Sequence, residues 1–212
     1  VYVTGCSDPD DYATIKYDAD GNQLWIARFV GAIKQGQWAD SIATAMALDG
    51  AGNVYVTGYS ARMSRDYVYA TIKYDPDGKE LWVSRYKSPY AGDSYAQDIA
   101  VDGSGNVYVT GESIADGAFN NLATVKIDPN GKQLWVQTFR GPQKKLSDVY
   151  WNRTGFIAVD NAGYATVAGT TQRPGKSCDF IVIRYDPNGR ELWTQRYDGP
   201  AQAEDRPGGL AA

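Results

Sequence analysis

The string Val-Tyr-Val-Thr-Gly occurs at Val1–Gly5, Val54–Gly58 and Val107–Gly111, and a worn copy, Ala165-Thr166-Val167-Ala168-Gly169, follows. The glycines that close the first three copies, at 5, 58 and 111, are spaced 53 residues apart, and the fourth, at 169, comes 58 residues later. A second string follows each copy: ATIKYDADGNQLW from Ala13, ATIKYDPDGKELW from Ala70, ATVKIDPNGKQLW from Ala123 and IVIRYDPNGRELW from Ile181. A third precedes the later copies: MALDGAGN from Met46, IAVDGSGN from Ile99 and IAVDNAG from Ile157. A period of this length makes each repeat one supersecondary unit. Such a unit cannot bury its apolar face alone and must stack on its neighbours.

Each repeat parses into four short strands, A (IAVD), B (VYVTG), C (ATIKYD) and D (LWVSRY). A and B are joined by turns such as Asp102-Gly103-Ser104-Gly105-Asn106, and C and D by turns such as Asp75-Pro76-Asp77-Gly78. In the second kind, proline presets φ and glycine takes the left-handed position. Both are tight hairpin signals. Apolar and polar residues alternate within the strands, as Ile72 and Tyr74 do against Thr71 and Lys73. No segment carries a helical period.

Four-stranded units repeated at this spacing predict an all-β fold, a β-propeller of four four-stranded antiparallel blades with a period of about 53 residues. Strand A is rich in small residues (Ala43, Ala45, Ala47, Ala96, Ala100, Ala158), which suit the crowded strand nearest the axis. Strand D carries one tryptophan per repeat, Trp25, Trp82, Trp135 and Trp193, read as packing between neighbouring blades. The chain opens within strand B, as an excised piece of a longer protein would. Gly209-Leu210-Ala211-Ala212 reads as a strand A. The expected single domain, 1–212, is therefore a ring in which the C-terminal strand A pairs with the N-terminal strand B, removing exposed sheet edges. Its blades would be 1–36 plus 205–212, 37–90, 91–145 and 146–204. The rival readings are an arc of a larger propeller and one half of a two-chain ring.

The pattern Ile99–Gly111, an acidic or amide residue opening strand C (Asp11, Asn121, Asp179), and Lys73–Trp82 resemble the bacterial β-propeller repeat SBBP. The second repeat departs, with Val68 at the aligned place and Asp66 two residues earlier, and the fourth has Tyr164-Ala165-Thr166 in place of Asn-Val-Tyr. The resemblance implies a secreted or cell-surface bacterial protein and no defined reaction. Fold alone does not assign function in any case.

Histidine is absent. That excludes His-based acid/base catalysis, Ser-His-Asp and Cys-His pairs, and nearly all zinc sites. The two cysteines, Cys6 and Cys178, form no CxxC motif. With a net charge of −4 and no basic run longer than Lys144-Lys145, nucleic acid is not an expected partner. No apolar run approaches the roughly 18 residues of a membrane span.

The A–B and C–D turns are short and nearly uniform, whereas the B–C and D–A connections vary. Binding is expected on the face that carries the variable loops. There the D–A loops offer Trp38, Asp40, Tyr90, Asp93, Tyr150, Trp151, Arg153, Asp205 and Arg206. Aromatic faces beside carboxylates and arginines suit sugar rings or peptide segments; Trp38 and Trp151 also suit a structural role covering the top of the core. Asp18-Ala19-Asp20-Gly21 and Asp75-Pro76-Asp77-Gly78 resemble the opening of a Ca²⁺ loop, but the other copies carry Asn130 and Asn188, so hairpin turns are expected and no cofactor. Cys6 and Cys178 fall on neighbouring blades of a closed ring, where a disulfide between them would staple it; two free thiols are the alternative.

These readings favour a non-enzymatic binding or scaffold module for a protein or carbohydrate ligand. A propeller enzyme of lyase, lactonase or glycosidase type, with paired carboxylates such as Asp40 and Asp93 as acid and base, is the second reading. A structural repeat that self-associates into an oligomer or filament is the third.

Overall fold

The computed structural model describes residues 1–7, 11–31, 40–61, 66–89, 92–115, 119–140, 154–172, 177–200 and 203–211. Every regular element among them is a β-strand. The first sheet joins β1 (Tyr2–Ser7), β2 (Asp11–Tyr17) and β3 (Gln23–Phe29). The second joins β4 (Ser41–Leu48), β5 (Val54–Ala61), β6 (Tyr67–Tyr74) and β7 (Glu80–Tyr86). The third joins β8 (Ser94–Val101), β9 (Val107–Ala115), β10 (Phe119–Ile127) and β11 (Gln133–Phe139). The fourth joins β12 (Thr154–Val159), β13 (Ala165–Gln172), β14 (Cys178–Tyr185) and β15 (Glu191–Tyr197). All pairings are antiparallel between strands consecutive in sequence. The leading strands β4, β8 and β12 lie side by side, and β1 lies beside β4. Successive sheets thus meet at their inner strands, as propeller blades do.

The turns follow from their aspartates. Asp18, Asp75, Asp128 and Asp186 each accept two backbone N–H groups of their own C–D turn through Oδ1, at 2.8–3.0 Å. Asp49, Asp102 and Asp160 do the same in the A–B turns. The third position of the C–D turn is aspartate in two copies and asparagine in two, and the turn is the same in all four.

Three apolar clusters hold the blades together, and each spans two blades. Tyr12 and Phe29 of the first blade pack with Val54, Val56 and Ile72 of the second. Tyr55, Tyr69 and Tyr86 of the second pack with Ile99, Val107 and Val125 of the third. Tyr108 and Leu122 of the third pack with Ile157, Val167 and Ile183 of the fourth. A polar contact repeats beside each cluster. Trp25 Nε1 donates to the Pro76 carbonyl (3.0 Å), Trp82 Nε1 to that of Pro129 (2.9 Å) and Trp135 Nε1 to that of Pro187 (3.1 Å). Lys16, Lys73 and Lys126 donate to the same three carbonyls. Near the axis, Thr44 Oγ1 donates to the Ala96 carbonyl (3.0 Å) and Ile157 N–H donates to Asp98 Oδ2 (2.8 Å).

The expected closure of the ring is not seen among the described residues. Residues 209–211 form no strand, and the first sheet has three strands, with no partner on the inner edge of β1 among the described residues. The preceding segment instead turns back onto its own blade: Asp205 N–H donates to the Cys178 carbonyl (2.8 Å) and Asp205 Oδ2 accepts from Gly199 N–H (2.7 Å). No disulfide joins Cys6 and Cys178, in line with the alternative that the sequence left open. Cys6 lies close enough to Tyr12 and Tyr59 to act on both electrostatically, which places it at the junction of the first two blades.

Glycine stands at the end of each C–D turn because φ is positive there, and in three of the four the tryptophan contact adds a second reason. A Cβ on Gly78, where φ is +84°, would lie 2.6 Å from Trp25 Cδ2, whereas a Cβ on Gly21, at φ +85°, would meet nothing. Both positions are left-handed, so alanine at either is strained by about 1 kcal/mol. We expect Gly21→Ala to lose only that, and Gly78→Ala to lose about 3 kcal/mol because overpacking adds to the strain. Urea unfolding of the two variants measures the difference.

Candidate functional site on the variable-loop face

The strand ends of the second and third blades bring five side chains together. Asp40 and Asp93 immediately precede β4 and β8, Tyr95 is the second residue of β8, Tyr59 lies near the end of β5, and Tyr67 opens β6. All sit at the end of the sheets where the variable connections lie. The backbone fixes both carboxylate residues: the Asp40 carbonyl accepts from Ala61 N–H (2.9 Å), and the Asp93 carbonyl from Ile114 N–H (2.8 Å). Ser41 Oγ donates to Ser60 Oγ (3.0 Å) beneath them.

The three tyrosine rings pack on one another, with centroids 5.6 Å apart for Tyr59–Tyr67, 4.9 Å for Tyr59–Tyr95 and 5.3 Å for Tyr67–Tyr95. The first two contacts are edge-on, a geometry the ring quadrupole favours. Tyr67 links the carboxylates: its hydroxyl donates to Asp40 Oδ2 (2.7 Å) and its backbone N–H to Asp93 Oδ1 (3.1 Å). Tyr95 donates to Asp93 Oδ2 (3.1 Å). All five residues are half-buried, so their outer edges reach solvent.

The Asp40 hydrogen bond, with burial second, pushes the Tyr67 hydroxyl up to about 12. Burial, helped by Asp93, raises that of Tyr95, and burial, helped by Cys6 and Asp40, raises that of Tyr59. The Tyr67 and Tyr95 hydroxyls therefore stay protonated and donate to Asp40 and Asp93.

Of the residues singled out in the sequence, Asp40 and Asp93 are joined here. Arg206 is not: it is exposed in the C-terminal segment and pairs with Glu204 (2.5 Å). Trp38, Tyr90, Tyr150, Trp151 and Arg153 lie outside the described residues. Sequence reasoning missed Tyr59, Tyr67 and Tyr95, although the repeats carried a signal. The residue after the closing glycine of strand B is Cys6, Tyr59, Glu112 and Thr170, so the tyrosine there belongs to the second repeat alone.

Other ionisable groups are engaged structurally. Asp179, the strand C opener of the fourth blade, is buried and paired with Arg196. At the aligned place Val68 is fully buried, and Arg85 lies instead over the Phe29 ring, 5.4 Å from its centroid. Carboxylate oxygens of Asp179, Asp198 and Asp205 lie within 4.8 Å of one another, but Arg196 already supplies the positive charge there. Asp98 has its carboxyl raised by burial, opposed by the Ile157 and Ile99 amides that bind its two oxygens.

The phenol of Tyr67 gives a pH test. Its folded pKa is raised above the unfolded value of about 10, so its contribution to stability is present below that pH and is lost as pH rises through about 12. Difference absorbance between the wild type and Tyr67→Phe should show one phenolate forming near pH 12. Asp40→Asn should bring that midpoint down toward the ordinary tyrosine value.

Comparison with known proteins supports the repeat. The SBBP family, described as a beta-propeller repeat, matches residues 24–61 and 82–117. No curated protein matches the chain. Among solved structures, a lignostilbene dioxygenase of Pseudomonas brassicacearum is similar over 91% of this chain, at 14% identity and a TM-score of 0.51. The match takes up 46% of that protein, so the chain spans about half its length. At this identity the likeness speaks for the fold alone. The repeated strings, the succession of four antiparallel sheets and the two matched stretches agree on a chain of repeated four-stranded units, two stretches of which match the SBBP beta-propeller repeat.

Proposed function

We propose that this chain is a non-enzymatic binding or scaffold module, working outside a bacterial cell, that holds a glycan or protein ligand on its variable-loop face. The observation that carries the reading is the cluster of Tyr59, Tyr67 and Tyr95 with Asp40 and Asp93. Half-exposed aromatic faces offer large contact area at small entropic cost, and the carboxylates beside them give hydrogen-bond direction. The rigid blades beneath pre-organise both, which raises affinity by lowering the ordering cost of binding. The extracellular setting follows from the SBBP resemblance.

The chemistry of the cluster favours binding over catalysis. An acid/base pair needs a group whose protonation switches near the working pH. Here both carboxylates accept tyrosine hydroxyls, and those hydroxyls are shifted away from neutrality. Paired action of Asp40 and Asp93 as acid and base would require breaking these bonds.

The test is binding of the full chain to a glycan array and to an immobilised peptide library. A central aromatic contact is typically worth about 2 kcal/mol or more. Tyr67→Ala and Tyr95→Ala should each weaken the ligand found by tenfold or more, while Leu192→Ala on the outer strand of the fourth blade leaves it unchanged. Equal binding by all three variants and the wild type would place the ligand elsewhere.

A further inference from the structure

The seams between consecutive blades differ at two repeated positions. The sixth residue of the outer strand is Arg28, Arg85, Thr138 and Arg196 in the four repeats, and the strand C opener is Asp11, Val68, Asn121 and Asp179. At the first seam Arg85 lies over the ring of Phe29 in the preceding blade, 5.4 Å from its centroid, and Val68 is fully buried. At the third seam Arg196 pairs with the buried Asp179. At the second seam Thr138 stands in place of the arginine, and the strand C opener is an amide.

The shorter side chain borders a pocket of about 510 Å³ on the outer rim, between β7 and β11, whose lining includes Tyr86, Lys87, Val136 and Thr138. That is room enough for one long side chain. Tyr86 is 7% exposed, and its hydroxyl closes no hydrogen bond although the Ser113 and Thr138 side chains lie beside it. Asn121, the direct cross-strand neighbour of Ser113, is fully buried, and neither its amide oxygen nor its amide nitrogen has a partner. Buried polar groups without partners are costly, and native proteins retain few of them. The seams that keep the arginine show what chemistry fits here. In one a guanidinium lies on the aromatic ring of the preceding blade, and in the other it binds the strand C opener. At the second seam the ring and the acceptor persist, Tyr86 for Phe29 and Asn121 for Asp179. A guanidinium carries five N–H donors in a planar fork, so one such group can serve both oxygens. The two cations bordering the pocket are engaged elsewhere, Arg85 on Phe29 and Lys87 with Asp66 (2.8 Å).

We propose that the pocket between the second and third blades takes the guanidinium of an arginine side chain carried by a partner polypeptide, which lies against the Tyr86 ring and donates to the Tyr86 hydroxyl and the Asn121 carbonyl. The incoming arginine repeats in trans what Arg85 and Arg196 do within the chain, reaching Asn121 as Arg196 reaches the equally buried Asp179. A cation held over an aromatic ring away from water is favoured by the ring quadrupole. The pocket shares no residue with the tyrosine cluster and does not rest on the function read from it.

Two-dimensional NMR titration of the full chain with N-acetyl-arginine amide, N-acetyl-lysine amide and N-acetyl-glutamine amide tests this. The arginine probe should give saturating shifts centred on Tyr86 and Thr138. The lysine and glutamine probes should bind about tenfold more weakly or not at all. Thr138→Arg, which restores the residue of the other repeats and fills the pocket from within, should abolish the arginine-probe shifts while circular dichroism stays that of the wild type. Asn121→Val, which installs the residue of the second repeat, should weaken the arginine probe by about tenfold through loss of the acceptor. Absence of saturating shifts with the arginine probe, as when water alone serves these polar atoms, would overturn the proposal. So would equal binding of the lysine or glutamine probe, or binding that persists unchanged in Thr138→Arg or in Asn121→Val. Tighter binding of free arginine than of the capped form would also overturn it, by marking a small-molecule site. Tyr67→Ala and Tyr95→Ala should leave the arginine-probe shifts as they are, so the two sites stand or fail separately.

Discussion

The contact on which the architecture depends is an indole laid against a glycine turn of the following blade, with its N–H given to a backbone carbonyl there. One side chain thereby fixes distance, orientation and order between sheets. Distance comes from the ring against a turn without a Cβ, orientation from the directional hydrogen bond, and order from the fact that the donor is always on the outer strand of one blade and the acceptor on the next. The apolar clusters beside it supply the larger burial term, because each buries valines and isoleucines of one sheet under aromatic rings of another. Neither works alone. Without the turn contact the clusters would tolerate sliding, and without the clusters a partly buried hydrogen bond is worth only about 1 kcal/mol.

The fold was readable from the chain because its rules are local and repeated. Alternation within strands, the aspartate-led turns and one tryptophan per repeat each translate directly into a hairpin or a contact, and fifteen strands fall where the repeated strings put them. What the structure does not show is the closing of the ring, which depends on non-local geometry. Gly209-Leu210-Ala211-Ala212 has a strand's composition, yet the Asp205 contacts to Gly199 and Cys178 hold the preceding segment against the fourth blade. The two readings of the cysteines, a bridge or none, also turned on that closure, and the structure shows no bridge.

The candidate site was half legible. Position in a variable connection pointed to Asp40 and Asp93, and the structure joins them through one residue. The tyrosines lay inside strands, where aromatic residues are expected anyway as sheet formers, so their type carried no signal. The departure of Tyr59 from its repeat equivalents did. A residue that differs from its equivalents at a strand end, where packing does not demand the difference, is a better pointer to a site than a residue that merely sits in a loop.

The sharing of each apolar cluster between two adjacent blades has an energetic corollary. Stability in such an array is a sum of intrinsic blade terms and nearest-neighbour couplings, as in a one-dimensional chain of coupled units. Among the described residues, the second and third blades are each coupled by apolar clusters on both flanks. A substitution that loosens one cluster is therefore felt by both blades that share it, and the second and third blades, each sharing two, open only when two couplings are lost.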